Sequence, residues 1–563
     1  MPTDQHHTRR LPADPVQDAG GHFSGSYSRC PVQNGQGLSI TSGILKDSRG
    51  DDAVFCSYNG LESDEHDLTF HGGVDKAVHQ YCSLHYPSWQ SDFPDNARLF
   101  TVGGFGENIV SEAMNERNVC IGDIMQIGNE SSGCILQVSL PRQPCYKLNH
   151  RFEIKAFASQ TWKKSRTGWY YRVLKEGWMK RGDEIVLLER KHPKWTIERI
   201  QEYLHRDGNK NVPVLKELLA IEEFGAECKR HFTGLIAEAE KGPNAKKEPE
   251  IFAEYKLVEK KRQTPRIVAF TFEATDPKGV ANDVDPGSHV RLKLPNGLIR
   301  SYSLVGGTTH KLMLGIALEE QSRGGSRYIH ETLAIGETIL VGKMTTSVPI
   351  AGGASNHILI AGGIGITAFL PTTAVFDQIN INYDLHYAVR SSEDVAFKDM
   401  LEKMAGTIRI YDASKGERMD IPTILKTRKW NSHIYVCGPQ RMNDAVTQTA
   451  NLLGIDPDEI HSEAFQALNT GDPFTFSLKA AEQTGDTSKR IFKVAEDESL
   501  LAVLRKEGFE VDSSCETGNC GACKIDLCAG SVEHRGSALG VTEKEMGMLS
   551  CVSRGQGHIV IDF

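Results

Sequence analysis

The spacing of hydrophobic residues changes several times along the chain, and each change predicts a different kind of element. Residues 24–189 carry short apolar runs between glycine-rich turns, which indicates strands. Residues 195–237 instead place apolar side chains at helical intervals in three segments, TIERIQEYL, PVLKELLAIEEF and CKRHFTGLIAEAE. We therefore predict a strand-rich domain at residues 24–190 and a three-helix domain at residues 191–238.

The second half of the chain changes from strands to mixed elements. Strands dominate residues 251–350, and residues 351–465 alternate apolar strands with helical stretches, as βαβ units do. Residues 474–563 begin with a predicted hairpin, FTFSL and KRIFKV, followed by a helix at ESLLAVLRKEG. The segments 239–250 and 466–473 have the composition of linkers. These patterns predict a multidomain protein of the α+β and α/β classes.

Composition and charge exclude several classes of protein. The 563 residues are 39% hydrophobic and 24% charged, and the net charge of −9 gives no basic balance that would favour nucleic acid or an anionic membrane. No apolar run approaches the ~20 residues that span a bilayer. Residues 1–23 lack the apolar core of a secretory signal, so we expect a disordered lead-in. From these absences we predict a cytoplasmic protein without a membrane partner.

Cysteines near the C-terminus carry the strongest chemical signal. Thirteen cysteines, an odd number, argue against a disulfide framework and for metal binding or catalysis. Cys515, Cys520 and Cys523 follow the spacing C-x4-C-x2-C with Cys551 further on, which is the plant-type ligand set of a [2Fe–2S] cluster. A zinc site is the alternative, but zinc usually takes two separated short-spaced pairs. We expect Cys528, which is off the pattern, to be a small buried apolar residue.

A strand end and the turn after it could hold a flavin. Arg300, Tyr302 and Ser303 offer a cation for a phosphate, a flat ring for the isoalloxazine and a hydroxyl for its N5. The turn combines a cation, two glycines and a hydroxyl: Arg323, Gly324, Gly325 and Ser326. Glycines there expose backbone N–H groups at the start of a helix, which favours a phosphate. Each signal alone could be an ordinary strand end or helix cap, but together they predict a flavin site.

A glycine-rich turn between a buried strand and a helix indicates a pyrophosphate site. The strand HILIA runs directly into GGIGIT, which contributes Gly362, Gly363, Gly365 and Thr367. A second apolar strand ends in Cys437 and Gly438, at the edge where parallel sheets bind ligands.

Residues 251–563 resemble the phthalate dioxygenase reductase family in the order of RSYS, RGGS, GGIGIT, CGP and the cysteine-rich loop. The resemblance implies an FMN-binding β-barrel at residues 251–350, an NAD-binding α/β domain at 351–465 and a β-grasp ferredoxin at 474–563. It implies FMN held by the strand end and turn named above, and NADH bound with Cys437 near the nicotinamide. Because Arg390, Ser391 and Ser392 could hold a 2′-phosphate, NADPH stays open.

The N-terminal half is dense in motifs: HGGVDKAVH, GFGEN, PRQPCYKL and RTGWYYRV. Cys145 lies between Arg142 and Lys147, and those cations favour the thiolate, which is the nucleophile and metal ligand. Other basic residues could join Arg142 in a cationic pocket for an anionic ligand: His71, Lys76, His79 and Arg166. Thiolate ligation alone does not choose a metal. A buried structural cysteine beside a solvated basic face is the alternative.

Residues 162–181 interleave Trp, Tyr, Lys and Arg, which could stack on single-stranded nucleic acid. The acidic chain around this segment supplies no broader basic surface, so we expect no nucleic-acid partner.

Residues 24–240 resemble a MOSC domain (molybdenum cofactor sulfurase C-terminal domain) on the four motifs just named. The match is to the bacterial subfamily that ends in a three-helix domain and reduces 6-N-hydroxylaminopurine. The resemblance implies a β-barrel and makes Cys145 the thiolate on the molybdenum of a pyranopterin cofactor. It implies catalytic roles for His71, Lys76 and His79 beside Cys145. Cofactor-binding roles fall to Asn108, Arg142 and Arg166.

Together the two resemblances imply a self-sufficient NADH-dependent reductase of N-hydroxylated compounds, such as N-hydroxylaminopurines and hydroxylamines. Electrons would pass from NADH to FMN, to the cluster and to molybdenum. One alternative is an electron-transfer component for a separate oxygenase, with the MOSC domain as a docking or regulatory module. Another makes Cys145 a sulfur carrier through a persulfide.

Overall fold

The structure is a computed structural model, and it describes the following parts of the chain. These are residues 31–33, 39–41, 52–62, 64, 73–206, 211–240, 251–295, 297–318, 324–346, 350–463, 465, 470–479 and 491–562. The predicted site residues His71 and Arg323 and the predicted lead-in at 1–23 lie outside them. The chain divides into two compact units, Met1–Lys247 and Glu248–Phe563. Within the described ranges, no helix is both long and apolar enough to cross a membrane.

The first unit is built on sheets of mostly antiparallel strands. The strands are β1 Pro31–Gln33, β2 Ser39–Thr41, β3 Val54–Ser57, β4 Gly60–Leu61, β5 Val78–Cys82, β6 Ile109–Ser111, β7 Ile124–Ile127, β8 Cys134–Pro141, β9 Trp169–Lys175, β10 Gly177–Met179 and β11 Ile185–Glu189. A six-stranded sheet has the order β11-β7-β8-β9-β5-β6, a three-stranded sheet the order β10-β3-β4, and β1 pairs with β2. Strand β8 is almost wholly buried, which matches its nearly continuous apolar sequence CILQVSLP.

Helices surround the six-stranded sheet of the first unit. They are α1 His85–Asp92, α2 Tyr146–Phe152, α3 Phe157–Lys163, α4 Ile197–His205, α5 Val212–Leu219 and α6 Ala226–Glu240. Helices α4 to α6 coincide with the three segments of helical spacing. Their apolar faces pack into the same core as the sheet, for example through Ile200, Leu218 and Phe232. Helix α6 runs to Glu240, two residues beyond the predicted end of the three-helix domain.

Most aromatic residues of the segment 162–181 serve the core and not a surface. Trp169 and Tyr171 are fully buried on β9, and Tyr170 is nearly so. Their ring faces are therefore covered by protein and cannot stack on bases. Trp178 on β10 remains half-exposed and lies edge-on to Phe55.

The second unit begins with a closed barrel. Its strands are β12 Ala253–Arg262, β13 Ile267–Ala274, β14 Ser288–Lys293, β15 Ile299–Thr308, β16 Lys311–Ala317, β17 Thr338–Val341 and β18 Thr345–Thr346. The order β15-β16-β13-β12-β17-β14 closes on itself because β14 also pairs with β15, and β18 adds to β14. A helical turn, α7 Gly325–Arg327, continues as a π-helical turn at Tyr328–Thr332. The barrel encloses its own apolar core.

An α/β layer follows the barrel. The strands β19 Asn356–Gly362, β20 Tyr383–Val389, β21 Thr407–Asp412, β22 Ser432–Cys437 and β23 Ile460–Glu463 form a parallel sheet of order β21-β20-β19-β22-β23. The helices are α8 Leu370–Gln378, α9 Lys398–Leu401, α10 Ile421–Lys426 and α11 Gln440–Leu452. Central strand β19 is buried throughout, as expected for a parallel strand covered on both faces. The carboxyl ends of all five strands meet at one edge.

The C-terminal domain has five strands and two helices among its described residues. The strands are β24 Phe474–Leu478, β25 Phe492–Val494, β26 Lys524–Glu533, β27 Gly547–Leu549 and β28 Arg554–Asp562, and the helices are α12 Leu500–Lys506 and α13 Val541–Met546. The sheet order is β25-β24-β28-β26-β27. The antiparallel pairing of β24 with β25 and the helix α12 confirm the predicted hairpin and helix.

Cys528 is exposed, so the prediction of a buried apolar residue is wrong. It lies on β26, where Ile525 is buried and Leu527 is half-buried. Side chains alternate between the two faces of a strand, so the position after Leu527 points outward. The alternation of the sequence itself carried this information.

His357, near the start of β19, is a buried histidine whose surroundings lower its pKa. Its ring lies 4.4 Å from the ring of Phe376 and 5.6 Å from that of Tyr435, measured between centroids. Neither ring nitrogen has a hydrogen-bond partner within the part of the chain that the structure describes. Burial, together with His433 and His461 nearby, lowers the pKa of His357 from 6.5 to about 3.

We expect His357→Phe to make the second unit more resistant to acid. Between pH 6.5 and about 3, His357 is protonated in the unfolded chain but neutral in the folded protein. The free energy of unfolding of the wild type therefore falls as the pH falls through this window. In this window the free energy of unfolding of the variant should fall by up to about 1.4 kcal/mol less per pH unit than that of the wild type. Thermal unfolding at a series of pH values measures this, with His310→Phe, at a half-exposed turn position, as the control. Parallel pH profiles of wild type and His357→Phe would contradict the expectation.

Candidate functional site

The four predicted cluster cysteines come together in two pairs. The sulfurs of Cys523 and Cys551 are 3.0 Å apart and buried. The Cys515 backbone N–H donates to the Cys520 sulfur at 3.4 Å, which places the other two thiols side by side. Among the described residues, no three His, Cys, Asp or Glu side chains converge as ligands of one metal ion. Two pairs of thiols suit two irons that each take two thiolates, and they do not suit a single zinc ion.

The loop that carries these cysteines points its backbone N–H groups at sulfur. The N–H groups of Thr517 and Asn519 donate to the Cys515 sulfur at 3.4 and 3.3 Å. Gly518 has a φ of +83°, and a Cβ there would lie 2.8 Å from a Val552 methyl carbon and 2.9 Å from the Gly536 Cα. Only glycine fits this close approach, and N–H donors stabilise the anionic sulfurs of a cluster. The donor set therefore fits a [2Fe–2S] cluster.

A cavity of about 1330 Å³ lies where the barrel, the α/β domain and the cluster loop meet. The predicted flavin residues Arg300, Tyr302, Ser303, Gly325 and Ser326 line it, together with Cys515 and Cys551. This volume exceeds the ~300–1,000 Å³ of a pocket for one small molecule, so a flavin and a nicotinamide can share it. The structure thus brings the predicted flavin residues and the cluster loop to one cavity.

The turn at the start of α7 packs directly on the predicted phosphate cation. A Cβ at Gly325 would lie 2.7 Å from the Arg300 Cγ, so the backbone approaches this side chain as only glycine allows. Burial raises the pKa of Tyr302 to about 12, so its hydroxyl stays protonated at neutral pH. A cation, a neutral phenol and a glycine turn around an open cavity fit the phosphate and ring of FMN.

The predicted pyrophosphate turn also lines the cavity, at the carboxyl edge of the parallel sheet. Gly362, Gly363, Gly365 and Thr367 are all on the cavity wall. Gly363 has a φ of +55°, and a Cβ at Gly365 would clash with the Cys437 carbonyl oxygen. The turn therefore depends on glycine at both positions. Its backbone faces the space where a dinucleotide would bind.

Cys437 ends strand β22 beside this turn, but its side chain is fully buried. Burial, with Glu463 nearby, raises the pKa of its thiol well above the usual range. Gly438, the next residue, lines the cavity. The structure thus places the backbone of this segment, and not a reactive thiolate, next to the predicted nicotinamide position.

Three residues of the cavity wall were given no role by the sequence. His289 and Arg291 project from β14 outside every motif, and Ser301 lies inside the RSYS segment on β15. A signal was present, because a histidine and an arginine on a strand that is buried over five of its six residues require partners. Sequence reasoning missed them because it looked for motifs and not for polar residues inside an apolar strand.

In the first unit, the ends of three strands bring predicted residues together. The Arg142 N–H donates to the Gly168 carbonyl oxygen at 3.1 Å, which joins the end of β8 to the start of β9. A Cβ at Gly168 would lie 2.6 Å from Nε2 of His79 on β5, so the imidazole lies against this glycine. Arg142 is buried, and its Nη1 has no hydrogen-bond partner among the described residues. Cys145 follows at the start of α2 and is half-buried.

Other predicted residues of this half have protein partners. Lys76 forms an ion pair with Glu227 of α6, and Arg166 forms one with Asp92 at 2.7 Å. These pairings neutralise two members of the predicted cationic pocket. Arg142 is therefore the cation that the described structure leaves best suited to an anionic ligand.

Asn108 holds strand β5 in place. Its Oδ1 accepts from the His79 N–H at 2.8 Å, and its Nδ2 donates to Asp64 at 2.6 Å. The preceding Glu107 is fully buried and accepts from the Gly103 N–H at 2.7 Å, which fixes the GFGEN loop. Asn108 thus positions the backbone of His79.

We expect Cys523→Ser to abolish the cluster, because it removes one of two thiols that face each other at 3.0 Å. Iron should fall from about two per chain to background, while the flavin remains. Iron analysis and electron paramagnetic resonance after dithionite reduction measure this. Cys528→Ser, an exposed cysteine of the same domain, is the matched control and should keep its iron. A full iron content in Cys523→Ser would show that the ligand set is wrong.

We expect Gly365→Ala to weaken NADH binding by about tenfold or more, since overpacking of this kind costs roughly 1–3 kcal/mol. The added methyl would meet the Cys437 carbonyl oxygen and displace the turn. Gly352→Ala is the matched control, because a Cβ there meets nothing within 4 Å. The KM for NADH with ferricyanide as acceptor measures the effect. An unchanged KM in Gly365→Ala would disprove the assignment of this turn.

Comparison with known proteins agrees with this division of the chain. The MOSC domain family matches residues 67–186, and the 2Fe-2S iron-sulfur cluster binding domain family matches residues 484–555. A protein named Reductase from Gibberella moniliformis (strain M3125 / FGSC 7600) is 36% identical over 542 residues, which cover 93% of this chain and 92% of the relative. The similarity thus extends over both units.

Other relatives match only the second half. The heme-dependent oxidative N-demethylase beta subunit of Ectopseudomonas mendocina (strain ymp) is 35% identical over 301 residues, covering 53% of this chain and 94% of the relative. The phthalate dioxygenase reductase of Burkholderia cepacia is 32% identical over 309 residues, covering 52% and 92%. The chain therefore belongs to a family of electron-transfer reductases that join a MOSC domain to a phthalate dioxygenase reductase-like module ending in a [2Fe–2S] ferredoxin domain.

Proposed function

We propose that this protein is a self-sufficient NADH-dependent reductase of N-hydroxylated compounds, such as N-hydroxylaminopurines and other hydroxylamines. Electrons would pass from NADH to FMN, to the [2Fe–2S] cluster and to a molybdenum cofactor that Cys145 would hold. The observation that carries the proposal is the packing of Arg142, Gly168 and His79 at one place, with Cys145 three residues beyond Arg142, in a chain that also contains its own reductase. An acceptor site and an electron source are then parts of one molecule.

The second unit would take up electrons at the shared cavity. The glycine turn at Gly363 and Gly365 would hold the pyrophosphate of NADH, and Arg300 with the turn at Gly325 would hold the phosphate of FMN. These residues would bind and orient the two cofactors, and FMN, when bound, would supply the change from hydride to single-electron chemistry. Cys515 and Cys551 line the same cavity, so the cluster would receive those electrons there.

The first unit would hold the molybdenum cofactor through a thiolate and a buried cation. The half-buried Cys145 can supply the thiolate, and thiolates suit soft metal centres. The buried Arg142 has an Nη1 without a partner among the described residues, and an anionic group of the cofactor would satisfy it. Leaving a buried guanidinium nitrogen without a partner is costly, which favours an anionic ligand at this place.

The net reaction consumes one N–O bond per NADH. An N-hydroxylated substrate, NADH and a proton give the amine, NAD⁺ and water. The molybdenum centre supplies two electrons to the N–O bond when it is bound. We assign proton delivery to His79 and Lys76, with Glu227 holding the ammonium group of Lys76 and Asn108 holding the backbone of His79. His71, which is outside the described residues, completes the proposed catalytic set with Cys145.

A second candidate function follows from the relatives that match only the second half. They are named as a reductase and as a subunit of an oxidative demethylase. Under this alternative, the chain delivers electrons to a separate oxygenase, and the MOSC domain docks that partner or carries sulfur on Cys145. This alternative requires a second protein for turnover.

The deciding experiment uses the full chain purified from a host that makes molybdenum cofactor. NADH oxidation is followed with 6-N-hydroxylaminopurine as sole acceptor in wild type, in Cys145→Ala and in Cys120→Ala. Cys120 is a buried cysteine whose thiol bonds to the Pro193 carbonyl oxygen, so it is a matched control. We expect Cys145→Ala to lose about 100-fold or more in this activity, because mutating even an outer partner of a metal ligand typically costs about 10–100-fold. Reduction of ferricyanide should stay unchanged in all three proteins.

Two further measurements separate the alternatives. If molybdenum-loaded wild type reduces ferricyanide but not the hydroxylamine, the protein needs a partner, and the proposal is wrong. If the purified protein contains no molybdenum but carries labelled sulfane sulfur on Cys145, the sulfur-carrier alternative is correct.

A further inference from the structure

The loop that carries the cluster cysteines is bound to the flavin barrel by polar contacts. The Arg291 guanidinium donates from Nη1 to the Ser513 carbonyl oxygen at 2.9 Å. The Ser301 hydroxyl donates to the Ser514 carbonyl oxygen, also at 2.9 Å. Nε2 of His289 and the Ser514 hydroxyl are 2.8 Å apart. Every one of these contacts ends on the two residues that precede Cys515.

The barrel residues in these contacts form one group on adjacent strands. Arg291 and Ser301 are register partners of β14 and β15, and His289 is the register partner of Ser303, a predicted flavin residue. His289, Arg291 and Ser514 are all buried. The group therefore lies between the proposed flavin position and the proposed cluster, and all of its members line the shared cavity.

We infer that Arg291, Ser301 and His289 are positioning residues that hold the cluster loop against the shared cavity and thereby set the rate of electron transfer from flavin to cluster. Two electrons arrive at the flavin as one hydride from NADH. They leave one at a time, and each transfer reduces the cluster by one electron. The three residues take no part in the hydride step. Their effect is confined to how often and how closely the loop meets the cavity.

The bonding pattern supports positioning over simple packing. Two of the three contacts end on backbone carbonyl oxygens, so they fix the path of the main chain and not the identity of a side chain. The main chain at Ser514 leads directly into Cys515, which lines the cavity. A shift of this segment would move a cluster ligand relative to the flavin.

The test compares Ser301→Ala and Arg291→Gln with Ser432→Ala. Ser432 is a buried serine of the α/β domain whose hydroxyl donates to the Lys429 carbonyl oxygen and accepts from Asn356, so its loss removes hydrogen bonds away from the loop. Anaerobic stopped-flow mixing with NADH separates flavin reduction from cluster reduction by absorbance. Hydrogen–deuterium exchange of the peptide spanning residues 513–520 reports loop docking without any turnover.

We expect Ser301→Ala to slow cluster reduction about fivefold and Arg291→Gln tenfold or more, since a hydrogen bond from a charged donor is worth more than a neutral one. Flavin reduction by NADH should keep its wild-type rate in both. Exchange at residues 513–520 should rise in both variants and stay at the wild-type level in Ser432→Ala.

The inference is overturned if Ser301→Ala and Arg291→Gln reduce the cluster at the wild-type rate, or if flavin reduction slows as much as cluster reduction. Because Arg291 is buried and Arg291→Gln could impair folding, flavin and iron contents are measured first. If that variant lacks either cofactor, Ser301→Ala, which removes a single hydroxyl, decides the question alone.

Discussion

The close approach of the cluster loop to the flavin cavity is the constraint on which the second unit depends. Electrons that enter as a hydride have to leave singly, so the flavin site and the cluster site must meet. The barrel meets this need with a buried arginine, histidine and serine on two paired strands, which bind the main chain just before Cys515. The α/β domain adds the nucleotide turn to the same cavity. Three domains therefore share one site, although each has an apolar core of its own.

The same principle of backbone approach appears in both units. Gly365 lets the nucleotide turn pack against the Cys437 carbonyl oxygen, and Gly518 lets the cluster loop pack against Gly536. In the first unit, Gly168 brings the ends of β8 and β9 against His79. In each case the absence of a Cβ lets two segments of the chain that are distant in sequence, or their side chains, approach closely. Contacts of the main chain thus determine where the reactive side chains of these sites lie.

Much of this was predictable because the chemistry depends on local spacing. Three patterns are local in the sequence: the C-x4-C-x2-C segment, the GGIGIT turn and the helical spacing within residues 195–237. The corresponding elements are present in the structure. The contacts of Arg291 and His289 with the cluster loop were not predictable, because they join residues more than 200 positions apart. The ion pairs of Lys76 and Arg166 were missed for the same reason, since their carboxylate partners are distant in sequence. Cys528 was misjudged although the strand alternation around it was visible.

The central claim is that one chain carries electrons from NADH to an N-hydroxylated substrate. The most direct measurement is the stoichiometry of the reaction catalysed by the purified, molybdenum-loaded protein without any other protein present. We predict one amine formed for each NADH consumed, at a rate proportional to protein concentration. Consumption of NADH without amine, or turnover that appears only after a second protein is added, would contradict it.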